Sequence, residues 1–129
     1  MSNLQRTASA DQAIERWLKH AVDRLVRTLD PERILLFGSF ARGTAGRRSD
    51  LDLIIVWDTE LAPLERIGRA LELLSDAPRP VDVLVYTPRE FLERADLPFL
   101  RGVLQEARVL YERGEATTGG DTLAPASCG

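Results

Sequence analysis

The sequence holds one cysteine and one histidine, and among its 17 basic side chains Lys19 is the single lysine. Each scarcity removes a class of chemistry. Cys128 has no second cysteine with which to form an intramolecular disulfide or a cysteine-based zinc site. His20 excludes a paired-histidine metal site, and it falls off the apolar stripe of its helix, as a solvated surface side chain does. Lys19 sits in the polar part of the same pattern, far from any glycine-rich turn. That excludes a lysine-terminated phosphate loop and argues against Schiff-base catalysis. No apolar run approaches the ~18 residues that span a bilayer. Met1 to Asp11 lacks the apolar stretch of a secretion signal, so a cytoplasmic, non-membrane protein is expected. The net charge is −3, with 20 acidic side chains against the 17 basic ones. A surface that neutralises many phosphates would be positive, so direct nucleic-acid binding is not expected.

What is present suits one ordinary globular domain: 129 residues, 44% hydrophobic and 29% charged. A second domain large enough to hold a bulky acceptor does not fit in this length, so a partner would supply one. The chain divides into a flexible polar N-terminus (1–10), a folded domain (11–112) and a disordered tail (113–129) poor in large apolar residues. From Asp11 to Leu29 the i, i+3, i+4 spacing of apolar residues predicts an amphipathic helix, with Ser9 or Asp11 as its cap. Ile34 to Phe37 reads as a strand buried on both faces. Ser39 to Arg42 is short enough for one helical turn, and Thr44 to Ser49 reads as a loop. A second strand covers Asp50 to Trp57. Pro63 opens a helix to Leu74 whose apolar face is Leu64, Ile67, Leu71 and Leu74 with Ala70. A third strand (Val81 to Tyr86), two short helices (Arg89 to Ala95 and Phe99 to Ala107) and a last strand at Val109 to Tyr111 complete the pattern.

Chemistry concentrates between the first two strands. Asp50 and Asp52 are two apart, so on an extended strand both carboxylates point to one face. Two adjacent anions repel and need compensation. Hard divalent cations would supply it, and so would structural ion pairs with Arg42, Arg47 or Arg48. Gly38, directly after a buried strand, lets backbone approach a ligand, and Ser39 adds a hydroxyl beside the amides that follow; an ordinary strand-to-helix turn has the same look. Asp82 is the only charge in an otherwise apolar strand, a costly position unless the carboxylate is paired, hydrogen-bonded or metal-bound.

Taken together, Gly38-Ser39, the Ala41-Arg42-Gly43 step, Ser49-Asp50-Leu51-Asp52-Leu53 and a later strand carrying Asp82 resemble the signature of the polymerase-β nucleotidyltransferase superfamily. The short length resembles its minimal nucleotidyltransferase (MNT) branch, and the likeness runs from about Asp11 to Glu112. The resemblance implies an α+β fold with a short mixed sheet and helices packed on it. It implies that Asp50, Asp52 and Asp82 are catalytic and hold two Mg²⁺ ions, and that Gly38, Ser39 and Arg42 bind the nucleotide, ATP. Arg47 and Arg48 fall in the variable loop. MNT proteins commonly accompany a helical HEPN ribonuclease toxin, which implies an antitoxin that transfers AMP to a tyrosine hydroxyl of that partner. Two other readings stay open: an antitoxin that neutralises by binding alone, and a nucleotidyltransferase acting on a small molecule.

Overall fold

A computed structural model describes residues 2–43 and 50–114, with side chains from residue 12 onward. The expected loop at Thr44 to Ser49, with Arg47 and Arg48, and the expected tail after Gly114 lie outside the described residues. The elements are α1 (Ser2–Leu29), β1 (Arg33–Phe37), α2 (Ser39–Arg42), β2 (Leu51–Val56), α3 (Pro63–Leu73), β3 (Val81–Tyr86), α4 (Pro88–Arg94), α5 (Pro98–Glu106) and β4 (Arg108–Glu112).

The four strands form one mixed sheet in the order β3-β2-β1-β4. β1 pairs antiparallel with both β2 and β4, whereas β2 and β3 run parallel, joined through α3. The apolar alternation of the strands decides what covers each face. Ile34, Leu36, Leu51, Leu53, Ile55, Val83 and Val85 point to the face that packs on α1 and α3. Leu35, Ile54 and Val56 point the other way, with Phe37, Leu84 and Tyr86 at the margin, and meet Phe91 of α4 and Leu100 of α5. Both faces are therefore dry from Ile34 to Leu36 of β1 and from Leu53 to Val56 of β2, which is why those stretches read as unbroken apolar runs.

α1 buries Ile14, Leu18, Ala21, Leu25 and Leu29, the stripe that its spacing predicts. Its start differs from expectation: the helix begins at Ser2, so neither Ser9 nor Asp11 caps it. Residues 2–10 contain no proline or glycine, and once a helix is nucleated by its packed part each further residue is cheap to add. At the other end Asp30 turns the chain with φ 53° ahead of the buried Pro31.

α3 also departs from the sequence reading. Leu64 and Leu71 are exposed, and the buried stripe is Arg66, Ala70 and Leu74 with Ile67 and Leu73 half-buried beside it. The buried centre lies about a third of a turn from Leu64, because Arg66 rather than leucine is drawn inward. Its Nη1 donates to Glu90 Oε1 at 2.8 Å and its Nε to the Leu61 carbonyl at 2.8 Å. A buried cation with both a carboxylate and a carbonyl is compensated, and it fastens α3 to the start of α4. Glu90 also closes the capping box of α4: Thr87 Oγ1 accepts from Glu90 N at 3.1 Å, and Glu90 Oε1 accepts from Thr87 N at 3.1 Å.

Candidate active site: a carboxylate cluster at the strand mouths

Parallel pairing sets Asp52 of β2 directly beside Asp82 of β3. Residues opposite one another on neighbouring strands share a face, and Asp52 alternates with Leu51 and Leu53, so both carboxylates stand on the face that carries α4 and α5. Asp50 lies just before β2, two residues from Asp52. These helices leave this end of the face open. α4 sits at the far end, where Phe91 meets Tyr86 and Arg33. α5 reaches the β1 side, where Phe99 meets Phe37. Asp50 and Asp52 are half-buried and Asp82 is exposed, so the cluster is reachable from solvent.

Gly38 is needed here for two reasons. Its φ of 77° and ψ of −156° fall in a region open essentially to glycine. A Cβ at this position would also collide with Asp52 Oδ2 and stand 3.3 Å from Asp52 Cγ. The backbone after β1 therefore passes against the Asp52 carboxylate with no space to spare. α2 begins at once with Ser39, and its turn is closed by Arg42 N donating to the Gly38 carbonyl at 3.1 Å. Gly43 ends it in the left-handed conformation.

Burial, then the neighbouring carboxylates of Asp82 and Asp50, push the Asp52 carboxyl above its ordinary range, against an opposing pull from Arg42. Asp52 therefore feels both other carboxylates, and the sequence-predicted trio is one electrostatic unit. The ion-pair alternative fares poorly within the described residues. Arg42 bonds instead to Glu106 of α5 at 3.1 Å, and no described arginine or lysine lies within ion-pair distance of Asp50, Asp52 or Asp82.

An oxygen-only donor set that repels itself and lacks a cationic partner fits a hard divalent ion. Among the described residues, however, no three His, Cys, Asp or Glu side chains converge on a common metal position. An ion held here would therefore rest on one or two carboxylates, with water and substrate phosphate completing its shell, rather than in a closed protein cage.

Three neighbours of the site carry no signal in the sequence. Glu106 meets Arg42 across 64 positions. Arg79, just before β3, lies 5.9 Å from the centre of the Phe40 ring. Phe99 meets Phe37 from α5. All three depend on chain crossings that no local pattern reports. A larger cleft of about 630 Å³, lined by Trp57, Thr59, Leu61, Glu65 and Arg69, lies beyond the C-terminal end of β2 and contains none of the three carboxylates.

The candidate site thus joins the mouth of a mixed four-stranded sheet, two acidic residues in register there and a glycine-serine turn beside them. Residues 15–111 match the model of the nucleotidyltransferase domain family, and the chain belongs to that family. It is 35% identical over 80 residues to one Methanocaldococcus jannaschii protein, covering 62% of this chain and 78% of that protein. A second protein from the same organism is 31% identical over 87 residues, covering 62% of this chain and 58% of its own length. Both carry the name of inferred protein adenylyltransferases. Among solved structures, an inferred nucleotidyltransferase from Sulfolobus solfataricus superposes with a TM-score of 0.62 at 18% identity, over 84% of this chain and 88% of that one, a likeness of fold. A toxin–antitoxin complex solved with AMP-PNP gives a TM-score of 0.57 at 25% identity, with 76% of each chain covered. A mutant MntA–HpeT toxin–antitoxin complex shares the fold at a TM-score of 0.54 and 23% identity, over 74% of this chain and 72% of that one. The chain is thus a nucleotidyltransferase of α+β fold. Among the described residues no helix is long and apolar enough to cross a membrane.

Proposed function

We propose that this nucleotidyltransferase is an antitoxin that moves AMP from ATP to a tyrosine hydroxyl of a partner toxin of the HEPN kind, in the cytoplasm, where ATP and Mg²⁺ are plentiful. One observation carries the chemical part: Asp52 and Asp82 stand side by side on one sheet face, with Asp50 two residues away and no described cation within ion-pair distance of them. The relatives named for protein adenylylation support a protein acceptor, and the likeness to a toxin–antitoxin complex supports a toxin partner.

Asp50 and Asp52 would hold two Mg²⁺ ions, and Asp82 would complete one site once the three carboxylates are drawn together around bound ion and nucleotide, since they do not converge on one position in the free chain. When bound, the ions supply positive charge where negative charge develops on the attacking and leaving oxygens. The chain's own residues supply positioning. Gly38 lets the backbone pass close to the triphosphate, and Ser39 and Arg42 face its outer phosphates. Asp82, on the edge strand β3, stands where an incoming hydroxyl can reach it. That hydroxyl oxygen bonds to the α-phosphorus, the bond from the α-phosphorus to the bridging oxygen breaks, and pyrophosphate leaves. The hydroxyl proton passes to solvent by way of the Asp82 side of the site.

The likeness to a toxin–antitoxin complex supports a second reading as well, an antitoxin that acts by covering the toxin. Intact-mass spectrometry of the toxin encoded beside this chain, after incubation with the chain, ATP and Mg²⁺, separates the two. The enzyme adds one or more adenylyl masses, and an Asp50→Asn variant adds none. A stable complex with no mass gain establishes the binding antitoxin instead. Transfer to a small hydroxyl compound, with the toxin unchanged, points to small-molecule chemistry.

A further inference from the structure

The open end of the face carrying α4 and α5 has an aromatic wall as well as an acidic floor. Phe37 is the antiparallel register partner of Asp52, so the two side chains stand next to each other on the same face. Above Phe37 lies Phe99, in the first turn of α5, with ring centroids 6.2 Å apart and planes at 88°. This edge contact uses only part of the Phe99 surface, and 53% of the residue is exposed. α5 is held in place by Leu100, which is buried, and by Glu106, which bonds to Arg42 at 3.1 Å. The helix therefore presents an apolar ring to solvent, packed on the register partner of Asp52.

We propose that Phe99 is the stacking platform for the nucleobase of the bound nucleoside triphosphate. This rests on the nucleotidyl-transfer reading of Asp50 and Asp52. With the α-phosphate at those carboxylates, three directions leave the site. The α2 side, with Gly38 and Ser39, receives the departing pyrophosphate. The β3 edge, with Asp82, receives the acceptor hydroxyl. The ribose and base would lie over the sheet face toward α5, where Phe99 is an exposed aromatic ring packed on the register partner of Asp52. Stacking uses the π-face common to all bases, so Phe99 contributes affinity without choosing among them. Choice of base, if strict, falls to polar groups elsewhere.

The test is equilibrium binding by the full chain of Mg·ATP, Mg·GTP and Mg·tripolyphosphate, the last having phosphates and no base. Phe99→Ala should weaken both nucleotides by about tenfold or more, the loss expected on removing one base–aromatic stack, and leave tripolyphosphate unchanged. Phe99→Trp should restore nucleotide binding. Equal weakening of all three ligands would make Phe99 a structural residue and overturn the proposal. Unchanged ATP binding in Phe99→Ala would overturn it while sparing the nucleotidyl-transfer reading. Binding of no ligand by the wild-type chain would sink that reading itself, and this proposal with it.

Discussion

Replacing Gly38 with alanine tests the site more sharply than removing a carboxylate, because it adds one methyl group and takes nothing away. Two costs follow from the geometry. The backbone at φ 77°, ψ −156° is one that a side chain tolerates at about 1–3 kcal/mol. At about 2 kcal/mol, a domain of this size loses about 10 °C in Tm. The second cost falls on Asp52, whose Oδ2 occupies the space that the new methyl needs. A short carboxylate can swing aside, so this clash takes little stability but moves a group that must be positioned closely. A misplacement of about 1 Å costs about 100-fold in rate. Gly38→Ala should therefore melt about 10 °C lower and transfer nucleotide about 100-fold more slowly at a temperature where it is fully folded. Calorimetry and a single-turnover transfer assay measure the two effects. The Gly38→Ala/Asp52→Ala pair separates them: deleting the carboxylate relieves the clash and leaves the backbone strain, so the double variant should melt below Asp52→Ala by nearly the full Gly38→Ala loss. A Gly38→Ala protein with wild-type Tm and rate would refute the account. Lost stability with an unchanged rate would show that the Asp52 carboxylate does not take part in the chemistry.

Further outcomes follow from the charges. Asp52→Asn should abolish transfer yet raise Tm at pH 7. The Asp52 carboxyl is pushed up by burial and by Asp82 and Asp50, so its ionisation disfavours the fold. The gain should vanish as pH falls below the ordinary carboxylate range, where both side chains are neutral, and an unfolded variant at pH 7 would make Asp52 structural. Asp76 shows the opposite sign: hydrogen bonds from Arg24 and Trp17 lower its carboxyl to about 2 from an ordinary 3.8. Its stabilising contribution is present above pH 4 and is lost between about pH 4 and 2, so Arg24→Ala should flatten acid unfolding in that window, read by Trp17 fluorescence; an unchanged profile would discard the pairing. Glu90→Ala leaves the Arg66 guanidinium buried without its carboxylate, 8% exposed, and should cost about 3 kcal/mol in urea unfolding. A loss under about 1 kcal/mol would mean that water replaces Glu90 freely.

The sequence was most informative where its pattern was local. The runs from Ile34 to Phe37 and from Leu53 to Val56 lack polar interruption because both faces are covered there, and α1 is periodic because one side is, so each was readable from composition and spacing alone. Gly38-Ser39 falls where β1 ends and α2 begins, as the turn chemistry suggested. The reading failed where a long-range partner decided the outcome. Leu64 and Leu71 look like core by spacing, but Arg66 turns the buried face of α3 toward Glu90, 24 positions away. The N-terminal polarity suggested a loose segment, but polarity does not stop a helix, and nothing in residues 2–10 breaks one.

The same division holds for the site. By itself the sequence determined that Asp52 stands on a strand with Asp50 two residues before it, that a third carboxylate interrupts an apolar strand, and that a glycine precedes them, because these are local features of the chain. Only the tertiary structure decided that Asp82 is the register partner of Asp52, that the Asp52 carboxylate fills the space Gly38 leaves, and that Phe37 and Phe99 stand beside them. Those relations depend on strand order and on which helix covers which face, and both are set by burying the whole apolar surface at once rather than by any segment alone.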